Sequence, residues 1–480
     1  MAVDLYIQKY KQMEKSPLTG RPPFNEALRF WFKLGWISFG GTAGHIAIMH
    51  DYLVDKRKWI SNSRFFHALS LCMLLPGPEA QQLAIYIGWK LHGKKGGIAA
   101  GTLFVLPSML ILLALSILYV KLGNLPVIAA LFNGLKPAVV ALIIVSVVKV
   151  ARKAVTGPLQ AAVATIAFAV IFFLNTSLPI VIVTTILLAL AIQRLKPSLL
   201  PKNASDSAEA PEEAAEEDAE EKPLTAPPTR SSRQTLSPTP LLRQLLTFAL
   251  LWLAPLALLY IFAPTVSFWQ SLVLFWTQTA LFTIGGSYTV LPYVAQFAVG
   301  KLHWLSRLQM IDGFALAETT PGPLIIVVAF VGFLAGYHQF NQSIPLATIA
   351  LLLTTYYTFL PCFFYIFVGG PLIERTHGNP LLQNILGLVT ASIVGMIVNL
   401  ALFLGKDVIF PYGTATGNSP GAASAATSTL GHTGPSLLHP DLYALAWVTL
   451  SLLLILRFRT KVLYLIAASA CYGLARHYFS

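Results

Sequence analysis

The stretch Leu74-Leu75-Pro76-Gly77-Pro78-Glu79-Ala80-Gln81-Gln82 puts a helix break, a carboxylate and two carboxamides inside an otherwise apolar run. Pro321-Gly322-Pro323 repeats the break far downstream, with Glu318, Thr319 and Thr320 just before it. Two prolines around a glycine cannot continue an α-helix, because both lack the amide donor and their rings crowd the preceding turn. In an apolar medium such a break survives only where protein or a polar cavity supplies hydrogen-bond partners. The helices that restart after Pro78 and Pro323 each present free N–H groups and roughly half an elementary positive charge. That is chemistry for holding a small anion, and two matched breaks point to a transport site. A plain proline kink with glycine packing is the bland alternative, which duplication of the motif disfavours.

Other residues join this candidate site by type. Gly40, Gly41, Gly285 and Gly286 permit close backbone approach. Gln81, Gln82 and Thr320 offer polar groups beside Pro76, Gly77, Pro78, Pro321, Gly322 and Pro323. Glu79 and Glu318 lie in apolar surroundings, where a carboxylate costs on the order of 3 kcal/mol on insertion scales and is usually paired or functional. Proton coupling is the functional reading for them; for Glu79, capping of the restarted helix is the simpler one. Lys136, at the start of a span, suits an oxyanion, or a snorkelling role at the interface. Arg29 and Lys33 divide in the same way between anion attraction and anchoring. Lys56, Arg57, Lys58 and Arg64 form either an anion-attracting mouth or a solvated basic loop. His45 and His67 read as packed or hydrogen-bonded, and Asp312 as a helix cap.

The elements that must position these residues follow from composition. Of 480 residues, 55% are hydrophobic and 11% charged, with a mean hydropathy of +0.67, against about 25% charged in soluble chains. The fold expected is an all-α integral membrane protein. About 13 apolar segments can be drawn, at 24–48, 65–91, 96–120, 126–148, 158–174, 177–193, 241–263, 268–290, 308–336, 344–368, 381–404, 440–456 and 462–478. With the N-terminus inside, cations cluster in the inside loops (Lys90/Lys94/Lys95, Lys149/Arg152/Lys153, Arg194/Lys196, Lys301/Arg307, Arg375, Arg457/Arg459/Lys461) as orientation requires. Lys56-Arg57-Lys58 disobeys, so either the first segment does not fully cross or those cations have a task outside. The net charge of +13 fits loops beside anionic lipid and gives little support for nucleic-acid binding. Cys72, Cys362 and Cys471 read as free thiols in apolar runs.

Residues 1–23 read as a cytoplasmic N-terminal segment without a signal peptide, 24–196 as a first repeat, and 197–240 as a disordered acidic and Pro-rich cytoplasmic linker. A connecting helix at 241–263 leads into a second repeat at 264–480. A shift of 245 residues superposes Phe30-Trp31 on Phe275-Trp276, Gly40-Gly41 on Gly285-Gly286, Trp59 on Trp304, Ser61 on Ser306, and both Pro-Gly-Pro words. Six spans per half plus one connector make the second half inverted; re-entrant Pro-Gly-Pro segments would make it parallel. The loop charges favour inversion.

Ser38-Phe39-Gly40-Gly41, Trp59-Ile60-Ser61, Leu75-Pro76-Gly77-Pro78-Glu79-Ala80-Gln81-Gln82-Leu83-Ala84 with Gly88, and Phe104-Val105-Leu106-Pro107 resemble the chromate ion transporter family. Thr283-Ile284-Gly285-Gly286 and Glu318-Thr319-Thr320-Pro321-Gly322-Pro323-Leu324-Ile325 extend the resemblance into the second half, as in the long two-domain form. The resemblance implies chromate efflux across the cytoplasmic membrane, driven by an electrochemical gradient, and with it chromate resistance. Sulfate, a tetrahedral dianion of similar size, is the rival substrate. The sequence carries no metal, nucleotide or hydrolase signature, so no cofactor and no enzyme activity is expected, and a channel-like membrane sensor is the rival from another class. Membrane lipid is an expected partner, and a homodimer is left open.

Overall fold

The computed structural model describes residues 22–39, 41–123, 125–174, 176–195, 238–262, 266–282, 287–370, 380–410, 440–458, 460 and 462–479. Gly40, Gly285 and Gly286, the linker and the loop near 411–439 therefore lie outside the described residues. The elements are α1 (Phe24–Ile37), α2 (Gly41–His50) with a π-helical turn (Asp51–Lys56), α3 (Asn62–Leu74), α4 (Glu79–Leu122), α5 (Pro126–Ala154), α6 (Pro158–Leu174) and α7 (Leu178–Leu195). There follow α8 (Pro238–Phe262), α9 (Val266–Phe282), α10 (Ser287–Ala295) with a π-helical turn (Gln296–Lys301), α11 (Arg307–Thr319) and α12 (Val327–Gln339). The last four are α13 (Ile344–Phe364), α14 (Pro380–Ile409), α15 (Leu442–Leu456) and α16 (Val462–Phe479).

Among the described residues six helices are long and apolar enough to cross a membrane, and α6 and α15 are shorter apolar helices. Large apolar side chains point outward on the peripheral helices: Phe173 and Leu174 on α6, Leu250 and Ile261 on α8, Tyr464 on α16. Against water each would forfeit about 25 cal/mol per Å² of apolar surface; against lipid tails that penalty vanishes. The chain is a polytopic helical membrane protein.

Four of the thirteen expected segments do not run straight. The end of the first π-turn returns to the start of α1, where Arg57 pairs with Glu26 at 3.2 Å. Tyr52 stacks on Phe30 with ring centroids 4.1 Å apart. The segment 65–91 returns as well: His92 Nε2 donates to the Pro22 carbonyl at 2.7 Å and its ring meets Phe24. Residues 57 and 92 thus both sit on the first turn of α1, whereas a continuous helix would set them about 50 Å apart. In the second half Phe275 reaches Tyr293 and Trp304, and His338 Nδ1 meets the Trp304 carbonyl at 2.7 Å. Segments 24–48, 65–91, 268–290 and 308–336 therefore double back on themselves as pairs of helices. In 65–91 and 308–336 the physical reason is the Pro-Gly-Pro break, which turns the chain back instead of merely kinking it.

The sequence repeat is also a repeat in geometry. Trp59 N–H donates to Leu53 O and Trp304 N–H to Ala298 O, both at 2.8 Å. Lys58 and His303 take the same left-handed conformation, at φ 51° and 50°. Ser61 and Ser306 cap α3 and α11 through the amides of Arg64 and Gln309. After the breaks the halves continue alike. α4 bends sharply at His92–Gly93, so its short arm (79–91) packs back on its long arm (94–122), with Gly88 against the Gly96 carbonyl. α12 packs back on α13 in the same manner, Gly332 against Thr354 and Gly336 against Ala350.

The equivalent helices α4 and α13 meet at the centre and run antiparallel. The Phe367 ring fills the place a side chain on Gly97 would take, and the Phe363 ring does so at Gly101. α5 and α14 meet likewise, Val140 against Gly405 at one end and Ser146 beside Ile397 further along.

Candidate functional site

Both breaks are closed by the same local logic. Pro76 and Pro78 end α3 and start α4, and Gly77 between them takes φ 121°, a conformation that costs a side-chain-bearing residue strain. The Gln82 amide reaches back and donates to the Pro76 carbonyl, which ties the turn to the helix that follows. In the second half α11 ends at Thr319, Gly322 takes φ 110°, and the chain restarts through one 3-10 turn (Leu324–Ile326). The Thr319 and Thr320 hydroxyls both donate to Leu316 O at 2.7 Å. Their protons are thus used inside α11, and only their lone pairs remain for other partners.

Each break is seated on the opposite half. Gly77 lies against the Cys362 sulfur of α13, and Gly322 lies against the Ser108 hydroxyl of α4. Ser108 and Cys362 occupy matching places in Leu106-Pro107-Ser108 and Leu360-Pro361-Cys362, so the two seatings are one contact made twice. Gly322 N–H also donates to the Ser38 carbonyl at 2.7 Å, which joins the tip of the α1–α2 hairpin to the tip of the α11–α12 hairpin. His45 Nε2 donates to the same carbonyl at 2.9 Å. Gly41, at φ 70°, opens α2 beside this junction. Sequence reasoning left Ser38 and Ser108 out of the candidate site. The recurrence of the Leu-Pro word, with a small polar or thiol side chain after it, was the signal that could have found Ser108.

Several buried polar atoms near the tips have no hydrogen-bond partner: Ser108 Oγ, Gln81 Oε1, Gln82 Oε1 and His45 Nδ1. Gln81 donates through Nε2 to Gly101 O at 3.4 Å. A buried polar group without a partner costs about 1–3 kcal/mol, and such groups collect where a ligand or a moving element supplies the missing bond.

The two acids flank the breaks from different helices. Glu79 opens the short arm of α4, with Lys153 of α5 as the cation that bears on it. Glu318 sits in the last turn of α11, and Lys149, one turn before Lys153, bears on it. Lys153 Nζ also comes within 4.0 Å of the Met73 sulfur, and Met73 is the position that the 245-residue shift pairs with Glu318. Glu318 lines a cavity of about 20 Å³ between α5, α10, α11 and α14. Such a volume holds about one water molecule, so a tetrahedral dianion requires the surrounding helices to part.

Lys136 and Asp312 meet across the halves. Lys136 Nζ lies 3.8 Å from Asp312 Oδ1 and donates to Asn133 Oδ1 at 2.8 Å. Tyr119 donates its hydroxyl proton to Asp312 Oδ2 at 2.9 Å. Asp312 is therefore no helix cap; Ser306 and Gln309 form the capping box of α11, and Asp312, nearly two turns further on, faces inward. Lys56 pairs with Asp51 at 2.6 Å and Arg57 with Glu26, so two cations of the expected basic mouth are matched by acids. Arg29 and Lys33 are on the exposed face of α1.

Broken hairpins that interlock across two structurally repeated halves, in a polytopic helical membrane protein, define a transporter class of architecture. The family profile described as "Chromate transporter" matches residues 26–192 and 270–474, and the chain belongs to that family. It is 28% identical over 381 residues to the "Probable chromate transport protein" of Synechococcus elongatus, covering 79% of this chain and 84% of that one. It is 27% identical over 400 residues to the "Chromate transport protein" of Cupriavidus metallidurans, at 81% and 84% coverage. With the "Chromate transport protein" of Pseudomonas aeruginosa it shares 29% identity over 383 residues, at 78% and 80% coverage. No solved structure gives a significant match.

Proposed function

We propose that this protein exports chromate across the cytoplasmic membrane as a secondary transporter, and so confers chromate resistance. The observation that carries the reading is the double seating of the breaks, Gly77 on Cys362 and Gly322 on Ser108, in a chain of the chromate transporter family. Relatives covered over most of their length are named for chromate transport. Export, as opposed to uptake, follows the family resemblance of the sequence. The sequence holds no phosphate-cradling loop, and the reading draws its energy from a gradient or the substrate's own potential.

The halves are inverted in this reading. Hairpins that enter and leave on one side make α1–α2, α3 with the short arm of α4, α9–α10 and α11–α12 re-entrant. The long arm of α4 with α5, α6 and α7 makes four crossings, α8 a fifth, and α13 to α16 four more. Both candidate segments of each half double back, so parity is kept and the second half enters from the opposite side. Antiparallel pairing of the equivalent helices α4 and α13 supports this, because repeats related by an axis along the membrane normal would pair them parallel. The arrangement also returns Lys56, Arg57, Lys58 and Arg64 to the side of Lys90, Lys94 and Lys95, and carries Lys301 and Arg307 to the opposite side, where Arg307 pairs with Asp407 at 3.1 Å.

The substrate site lies at the tips: Gly40, Gly41, Pro76, Gly77, Pro78, Gln81 and Gln82 in the first half, Gly285, Gly286, Thr320, Pro321, Gly322 and Pro323 in the second. Ser108 supplies a free hydroxyl between them. The restarted helices contribute positive potential that suits a dianion. Glu79 and Glu318 exchange protons in step with transport. Lys136 is bound to Asp312 here and reaches an anion only when that pair opens. Sulfate shares the charge and shape that this site reads and is the rival substrate. Counterflow of labelled chromate and labelled sulfate in vesicles of known orientation, with and without an imposed proton gradient, tests the reading. Export predicts concentrative movement outward that responds to the gradient; flux that does not saturate favours a channel.

A further inference from the structure

A second, larger cavity of about 750 Å³ lies between the long arm of α4, α8 and α13 and reaches Gln81 of the short arm. Phe359 and Phe363 of α13, with Phe367 of the π-helical turn that follows it (Tyr365–Gly369), wall one side, and Leu106 and Met109 line the end furthest from Lys94. Lys94 and Gln244 are its polar residues at the other end. From Lys94 to Met109 along one helical arm is about 22 Å, more than half of a hydrocarbon core about 30 Å thick.

The third wall is unusual. No residue of α8 between 242 and 261 is buried, yet the helix is pinned to the protein at particular points. Tyr356 and Tyr357 donate their hydroxyl protons to the carbonyls of Leu251 and Trp252, each at 2.8 Å. Trp252 Nε1 donates to Thr277 Oγ1 at 2.8 Å, and Phe248 packs on Phe364. These bonds hold α8 at a standoff, with a gap of ligand size left beneath it. Helix carbonyls that accept an extra bond from a tyrosine fix the width of that gap, since the helix can neither close onto α13 nor drift from it without losing them.

We infer that this groove binds one anionic phospholipid of the leaflet that faces Lys94, its acyl chains along the phenylalanine wall and its phosphate at Lys94. The inference rests on the reading of the chain as membrane-spanning, and not on the substrate. Lys94 is exposed and has no acidic partner among the described residues, with Lys95 beside it and Arg243 next to Gln244 in sequence. A polar headgroup site above an apolar slot matches one phospholipid, with the cations selecting negative charge. Chromate does not suit the walls, because a dianion there would lose its hydration without gaining donors. Gln81 also lines the groove, so the lipid touches the helix that carries the first break.

The test uses the purified full-length protein in detergent, with phosphatidylglycerol or phosphatidylcholine added and bound lipid counted by native mass spectrometry. The inference predicts retained phosphatidylglycerol at one copy per chain and little phosphatidylcholine. Lys94→Gln should weaken retention about fivefold, the worth of one lysine at an anionic lipid surface, while Lys95→Gln does less. Thr102→Trp, which fills the slot from α4, should abolish it. Photoactivatable phosphatidylglycerol on the unaltered protein should label α8 and α13, which keeps the test decisive if a variant does not fold. Equal retention of the two lipids, labelling elsewhere, or displacement of the lipid by millimolar chromate would overturn the inference, the last by making the groove a substrate vestibule. Loss of chromate counterflow with lipid retention intact would instead count against the proposed function alone.

Discussion

The amide of Gly322 donates to the carbonyl of Ser38 across 2.7 Å, and through that bond a turn of the second half closes on a turn of the first. The donor and the acceptor are backbone groups that a helix break exposes. Each break thus satisfies part of the other half's orphaned backbone, which is how broken helices persist in a lipid-facing fold. The junction is held by shape as well, because Ser108 occupies the space beside Gly322 where a side chain would project.

Substituting Gly322 tests that junction. Alanine there meets the Ser108 hydroxyl and must hold φ 110°, a strain of order 1–3 kcal/mol. Gly322→Ala should lower the thermal unfolding temperature in detergent and reduce chromate counterflow by more than tenfold. Adding Ser108→Gly should restore part of both, since it removes the clash and leaves the backbone strain. A Gly322→Ala protein with unaltered flux would contradict the role of the tip.

Lys136 and Asp312 separate two roles by mutation. Removing one member of a largely buried ion pair leaves the other charge uncompensated, at a cost on the order of 3 kcal/mol. Lys136→Met and Asp312→Asn should each destabilise the protein, and the double variant Lys136→Met/Asp312→Leu should recover much of the loss. If the recovered double variant also transports chromate with an unchanged KM, Lys136 is a pair partner only. A raised KM in a stable double variant supports anion contact.

Glu79→Gln and Glu318→Gln should alter the pH dependence of transport in proteoliposomes, each by removing one exchangeable proton from the tips. The expected signature is a flattened pH profile with maximal flux reduced by a factor that differs between the two, since Glu79 and Glu318 stand on opposite sides of their breaks. Identical profiles for both variants and the unaltered protein would remove these acids from coupling.

Membrane sidedness of the hairpins is accessible to impermeant thiol labelling. Cysteine at Lys58 and at Lys95 should be modified from the same face of an oriented vesicle, and cysteine at His303 from the opposite face, in a background where the exposed Cys471 is replaced by serine. Labelling of positions 58 and 95 from different faces would reinstate a fully crossing first segment and break the argument for inversion.

Much of this architecture was legible in the chain. The 245-residue shift superposed Phe30 on Phe275 and Trp59 on Trp304, and Phe30–Trp59 and Phe275–Trp304 both stack edge-on, at 5.9 and 5.4 Å. The cations at 56–58 left two readings, a first segment that does not fully cross or a task outside, and the Arg57–Glu26 pair fits the first of them. Hydropathy could not show that the second segment turns back too, because a re-entrant hairpin of two 13-residue helices has the composition of one span. The partners of the breaks were hidden for another reason: Gly77 and Cys362 lie far apart in sequence, in different halves, and nothing local in either word encodes the contact. Asp312 misled in the same way, since its partners Tyr119 and Lys136 come from the other half.

If the interlocked tips hold the transported dianion, saturable counterflow of labelled chromate reads that binding. In vesicles containing the unaltered protein, the account predicts exchange that saturates, is competed by sulfate, and shows a KM raised at least about tenfold by Ser108→Ala combined with Gln81→Ala, a loss of about 1.4 kcal/mol or more of binding. Counterflow with the same KM in that double variant would place the anion somewhere other than the tips and contradict the account.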